Sequence, residues 1–297
     1  MPARAATRAK RTTYAGRMRI DTQAHVVSAD HDRYPLNPPD IDPMGTAQSR
    51  WFDAPALAVE DLLRRMDDTR IDRAVLVQAF SSYQYDNNYT ADAAATNPDR
   101  LASSCIIDLE HDAAKMVQHW IGERGARAIR LFLRNAGPDW LLQPGSDEVF
   151  NEIARLGAIA QVVGLDADLP RLLQAAKRHP EIPFVLDHCG MPDLSGGPSY
   201  PNATNLFALS DAPNINVKLS THVFTHAKQG GSTAAEITHR VVDAFGASRV
   251  MWASDYSVLG LVYAECVAEA EEACADLPPR DRDLVLGDAA NALWWPS

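Results

Sequence analysis

Eight short apolar segments, at residues 19–25, 73–78, 103–108, 128–133, 158–163, 184–188, 215–219 and 250–253, constrain this 297-residue chain more than anything else in it. They are rich in Val, Ile, Leu and Ala and lack clean alternation, the pattern of strands buried on both faces. Between most of them runs a stretch of helical period. The clearest is 57–69, which sets Leu62, Leu63 and Met66 against Arg64, Arg65 and Asp67. Others cover 147–156, 169–178, 234–245 and 265–274. Strand and helix alternating about eight times predict a single-domain α/β fold, the (β/α)8 TIM barrel. In that fold the chemistry sits at the C-terminal ends of the strands, whichever strand carries each residue.

Polar residues close several of these apolar runs: Gln23 and His25 in RIDTQAH, His188 in PFVLDHCG and Asp255 in RVMWASD. A barrel would bring them to one mouth. Burial of Asp255 among apolar neighbours predicts a raised pKa, suited to a general base that takes a proton from an attacking water; as a bare motif it also suits a helix N-cap. His188 and His25 suit polarising a carbonyl or holding an oxyanion, and Gln23 can offer a side-chain N–H to the same oxygen. Arg130, in the fourth strand, can grip a carboxylate or sulfonate through paired N–H bonds, with Arg134 four residues on. His222 and His226, in STHVFTHAKQGG, share a face if that segment is helical, and such a pair can hold a metal. His222, nearer the strand end, is the expected substrate contact. A buried Lys218 is expected to pair with a carboxylate inside the barrel.

Composition narrows the function class. A formal charge of −11 and a pI near 5.2 argue against a nucleic-acid partner, which calls for a basic face. No apolar run is long enough to span a membrane, and no signal-peptide core is present, so a cytoplasmic enzyme with a small-molecule substrate is expected. A homo-oligomer is compatible with all of this. Cys105, Cys189, Cys266 and Cys274 show no CxxC spacing and are expected as free thiols. Residues 1–17 are basic and free of acids, and read as a disordered leader ahead of a barrel over 18–297. Two stretches, 31–53 and the Gly/Pro-rich 193–205, read as long loops on the catalytic face.

The segments RIDTQAHVVSADHDRYPL, AVLVQAFSSYQYDNNY, GARAIRLFL, FVLDHCGMPD, NINVKLS and RVMWASD, in that order, resemble the amidohydrolase-2 branch of the amidohydrolase superfamily. The likeness spans 19 to about 293 and is greatest to the lactonase group, which includes 2-pyrone-4,6-dicarboxylate and 4-sulfomuconolactone lactonases. It implies a hydrolase that opens a lactone or related cyclic ester of a small anionic substrate, with Asp255, His188, His25 and Gln23 as catalytic residues. It also implies substrate contacts at Arg130, Ser81 and Tyr83. One departure matters: the family opens with His-x-His, whereas this chain has Gln23-Ala24-His25. The strand 5 segment QVVGLDADLP also lacks a metal-ligating Lys or His. The expectation is therefore no required cofactor; the alternative is one zinc on His25, His188 and Asp255. Alternative functions are a zinc-dependent decarboxylase or C–N hydrolase of the same family, and a non-catalytic ligand-binding derivative.

Overall fold

The computed structural model describes residues 17–38, 57–133, 137–257 and 260–296. Residues 1–16 of the expected leader, most of the 31–53 loop and Arg134 lie outside the described residues. Eight parallel strands follow one another around the sheet: β1 (Ile20–Ala24), β2 (Arg73–Val77), β3 (Leu101–Ile106), β4 (Ala128–Phe132), β5 (Ile159–Val163), β6 (Phe184–Leu186), β7 (Ile215–Ser220) and β8 (Val250–Ala253). β1 closes against the end of β8, where the Asp255 N–H donates to the Gln23 carbonyl at 2.9 Å and the His25 N–H to the Tyr256 carbonyl at 2.6 Å. This is the (β/α)8 barrel that the alternation predicts.

The helices cover the outside. They include α1 (Val59–Thr69), α2 (Asn88–Thr96), α3 (Pro144–Arg155), α4 (Leu169–Arg178), α5 (Thr221–Gln229), α6 (Ala234–Phe245), α7 (Tyr263–Ala273) and α8 (Ala289–Trp294). α4 shows why these form: Pro170 stands in its first turn, and Leu169, Leu172, Ala175 and Ala176 make a buried stripe. α6 opens on a capping box in which Thr233 accepts the Glu236 N–H and Glu236 accepts the Thr233 N–H.

Alternation along each strand then layers the interior. On β4 the inward residues are Ala128, Arg130 and Phe132, in register with Ile159, Gln161 and Val163 of β5. Ala128 and Ile159 join Ile20, Val185 and Met251 in an apolar floor, which Ala289, Ala290 and Trp294 of α8 complete. Phe132 and Val163 join Phe80 and Ile106 in a second apolar cluster at the strand C-termini. Between the two lies a fully buried polar layer of Gln23, Arg130, Gln161, Asp187 and Lys218. A layer like this is stable only if its members satisfy one another.

Candidate active site

At the strand C-termini the side chains converge on Asp255. Its Oδ1 accepts a hydrogen bond from Gln23 Nε2 at 2.9 Å and lies 3.1 Å from His25 Nε2. Its Oδ2 lies 3.0 Å from His222 Nε2, and His188 Nε2 is 3.9 Å from Oδ1. Burial pushes the Asp255 pKa up, but the charge and hydrogen bonds of His188, His222 and His25 outweigh it and hold the carboxyl well below its ordinary range. The sequence expectation of a raised pKa is corrected on this point. Burial alone would give that result, but the three imidazoles reverse it.

His188 is the opposite case. Burial pulls its pKa down to about 4, against the pull of Asp255, so the ring is neutral at neutral pH. Its contacts agree: Nδ1 meets Ser220 Oγ at 2.8 Å, and Nε2 receives the Gln23 amide at 3.2 Å. Asp255 and His188 both stand on left-handed backbone, at φ 55° and 52°, as does Cys189 at 52°. Such conformations cost roughly 1–2 kcal/mol each at a non-glycine residue. They aim two side chains into the mouth immediately after β6 and β8, where strained residues commonly serve function.

Below the mouth, Lys218 Nζ donates to Gln23 Oε1 at 3.0 Å and lies 3.1 Å from Asp187 Oδ1. Arg130 Nε donates to Asp187 Oδ2 at 2.8 Å, and Gln161 adds its amide N–H at 2.8 Å. Burial raises the Asp187 pKa, but Lys218 and Arg130 more than reverse it and bring the carboxyl to about 2. Lys218 thus pairs with a carboxylate inside the barrel, as expected. One chain of contacts runs from Arg130 through Asp187, Lys218, Gln23 and Asp255 to His222.

The expected catalytic set of Gln23, His25, His188 and Asp255 is brought together. Both Gln23 amide hydrogens are directed at Asp255 and His188, and the His188 Nδ1 faces Ser220, so neither side chain is set to donate to an oxyanion. Arg130 is buried with its Nε on Asp187, and its guanidinium carbon lies 5.9 Å from the Phe132 ring centroid. Ser81 and Tyr83 sit in the short helix Phe80–Tyr83, and the Tyr83 phenol accepts the Ser28 N–H at 2.8 Å. The segment bearing His222 and His226 is helical, yet only His222 reaches Asp255.

Sequence reasoning missed Asp187 and Asp21. Asp21 holds the turn after β8, accepting from the Ser254 N–H at 2.9 Å, the Ser254 hydroxyl at 2.6 Å and the Tyr263 hydroxyl at 3.1 Å. Both belong to the quoted motifs, as the D of RIDTQAH and of FVLDHCG. A carboxylate two residues before Gln23 and one before His188 was the available signal. All four cysteines are buried and free.

The amidohydrolase family profile matches residues 20–294. The chain belongs to that family. Among curated relatives, an L-fucono-1,5-lactonase of Burkholderia ambifaria is 28% identical over 242 residues, covering 78% of this chain and 82% of its own. A Pseudomonas putida protein assigned as a 2-pyrone-4,6-dicarboxylic acid hydrolase superposes with a TM-score of 0.72 at 23% identity, covering 94% of this chain and 98% of its own. A zinc-bound amidohydrolase of Burkholderia multivorans superposes with a TM-score of 0.71 at 21% identity, covering 93% and 99%. This amidohydrolase is accordingly a hydrolytic enzyme, and no described helix is long and apolar enough to cross a membrane.

Family members with zinc raise the question whether these residues fit one. A zinc on His25, His188 and Asp255 needs the lone pairs of His188 Nε2 and Asp255 Oδ1. Gln23 directs its amide N–H bonds at those two atoms, and it cannot turn over because the Lys218 ammonium, a donor only, holds its oxygen. The donor set does not fit a zinc. Among the described residues the one group of three suitable ligands close enough together is Asp108, Glu110 and His111, on the surface.

Proposed function

We propose that this amidohydrolase opens a lactone or related cyclic ester of a small anionic substrate, with Asp255 as the anion that drives deprotonation of the attacking water. The observation that carries the reading is a buried, ionised carboxylate at the barrel mouth, held by three side chains from the ends of β1 and β7. An ionised group in a low-dielectric site can stabilise the positive charge that arises as water loses its proton. The likeness to an L-fucono-1,5-lactonase supports the ester class. Support for an anionic substrate comes from the layer below, where two cations, Arg130 and Lys218, face one carboxylate, Asp187. Phe80 and Phe132, stacked with centroids 5.2 Å apart, form an apolar patch at the same strand ends, suited to the flat of a ring.

The test is a panel of sugar lactones, pyrone carboxylates and muconolactones, with acid release followed by a pH indicator. Turnover of at least one member is expected, in enzyme stripped with a chelator as well as untreated. An enzyme that turns over none of them yet binds one tightly would support the ligand-binding alternative instead.

A further inference from the structure

Away from the mouth, on the N-terminal side of the barrel, a pocket of about 340 Å³ opens between α2, the first residues of β3 and the end of α8. That volume falls within the roughly 300–1,000 Å³ that small-molecule sites occupy. Ala91, Ala94 and Ala95 of α2, with Pro98 and Leu101, give it an apolar wall. Trp295 also lines it and is held in place: its indole Nε1 donates to the Pro98 carbonyl at 3.2 Å, and the Arg73 guanidinium carbon lies 5.0 Å from the ring centroid.

Two arginines border this pocket, and they differ. Arg124 is neutralised, with Nη2 on Asp92 at 2.7 Å and Nη1 on the Asn88 side-chain oxygen at 2.8 Å. Arg127, which precedes β4, makes one side-chain hydrogen bond, from Nε to the Trp294 carbonyl at 3.2 Å. Among the described residues neither of its terminal nitrogens has a partner, and no carboxylate pairs with it. Burial of the half-covered guanidinium pulls its pKa down, and no described acid offsets that pull. A cation withdrawn from water without a counter-charge is costly, so this edge is set to meet an acceptor from outside the chain. The Ser103 hydroxyl, on the same lining, also has no partner among the described residues.

We propose that this pocket is a second binding site, distinct from the barrel mouth, for a small carboxylic acid with an apolar body. The Nη1–Nη2 edge of Arg127 takes the carboxylate through paired N–H bonds, because Nε is already engaged, and the Ser103 hydroxyl adds a donor. The body of the acid lies against the alanines of α2 and Pro98. One unpaired cation sets the charge: a monoanion matches it, whereas a phosphate dianion brings a second charge that no free cation meets. The site reaches the barrel floor through Arg127, whose Nε holds the carbonyl of Trp294, a member of the apolar floor. An occupant therefore braces α8 against β3 and β4, and a ligand of the folded state alone raises its stability. None of this depends on what the mouth hydrolyses.

Benzoate serves as the probe, with benzamide as its neutral counterpart and inorganic phosphate as the dianion without an apolar body. The mouth is the other place where a small acid can lodge, so the position of binding is read at the pocket itself. In ¹⁵N-tryptophan-labelled protein, the indole N–H signal of Trp295, identified by its absence in Trp295→Phe, should shift saturably with benzoate, and Tm should rise. Benzamide and phosphate should leave both unchanged. Arg127→Gln should weaken benzoate at this signal by roughly ten- to a hundredfold, the range of a hydrogen bond to a charged group. Ala95→Leu fills the pocket from an exposed helix position, keeps Arg127 and should weaken it as well; it decides the matter should Arg127→Gln not fold. A Trp295 signal unmoved by benzoate, an equal response to benzamide or phosphate, or an affinity unchanged in either folded variant would overturn the proposal.

Discussion

Gln23 and Asp255 show how one side chain changes what its neighbours can do. Near the end of β1, where the family resemblance implies the first histidine of His-x-His, this chain has an amide whose oxygen is held by Lys218 and whose nitrogen meets His188 and Asp255. That arrangement favours hydrogen bonding over metal ligation, and exhaustive chelation should leave most of the activity in place; activity abolished by stripping and restored by zinc would show otherwise. Asp255→Asn keeps the shape and removes the charge. Its kcat should fall by roughly 10²–10⁴ while circular dichroism and substrate affinity stay close to wild type, the pattern of an interaction made chiefly in the transition state. Because the histidines hold this carboxyl well below its ordinary range, the activity lost on mild acidification should not report its protonation. An acid-limb inflection that persists in the residual activity of Asp255→Asn would be consistent, whereas one that vanishes only in Asp255→Asn would contradict it.

At the scale of elements, the strands were legible because most are short, largely apolar runs, and five of the helices because one face is apolar. α5 was not, since THVFTHAKQ mixes β-branched, aromatic and polar residues without a clear stripe. The mouth residues could be named from their places at strand ends, but their partners could not. Arg130 meets Asp187 across 57 positions, and Asp21 meets Ser254 across 233, and such contacts exist only once the barrel closes. For the same reason Arg130 was legible as a strand 4 cation, but the Asp187 carboxylate that takes its Nε was not. The layer these residues form makes a prediction for β7. Lys218→Met removes one partner of a buried pair and also frees the Gln23 oxygen, so it should destabilise the fold by about 3–5 kcal/mol. Urea unfolding followed by fluorescence would measure this, and a loss below 1 kcal/mol would mean the layer is less coupled than its geometry indicates.

For the whole molecule, closure of the barrel places two perturbed buried groups, His188 and Asp187, side by side after β6, and both contribute to its response to acid. His188 is neutral in the fold with a pKa near 4, whereas in the unfolded chain it would titrate near 6.5. The unfolded state therefore binds more protons across that interval, and stability falls as pH drops from about 6.5 to 4, by about 3 kcal/mol from this residue. Asp187 is depressed from 3.8 to about 2. The stability its ion pairs supply is present above the unfolded value and is lost as pH falls through the folded one, in a second interval between about 4 and 2. Acid titration of the unfolding midpoint should thus show one decline from pH 6.5 to 4 and a further one below. His188→Gln, which keeps hydrogen-bonding capacity without the imidazole ionisation, should flatten the first decline and leave the second. A first decline unchanged in that variant would assign it to other groups and detach the neutral state of His188 from the stability of the barrel.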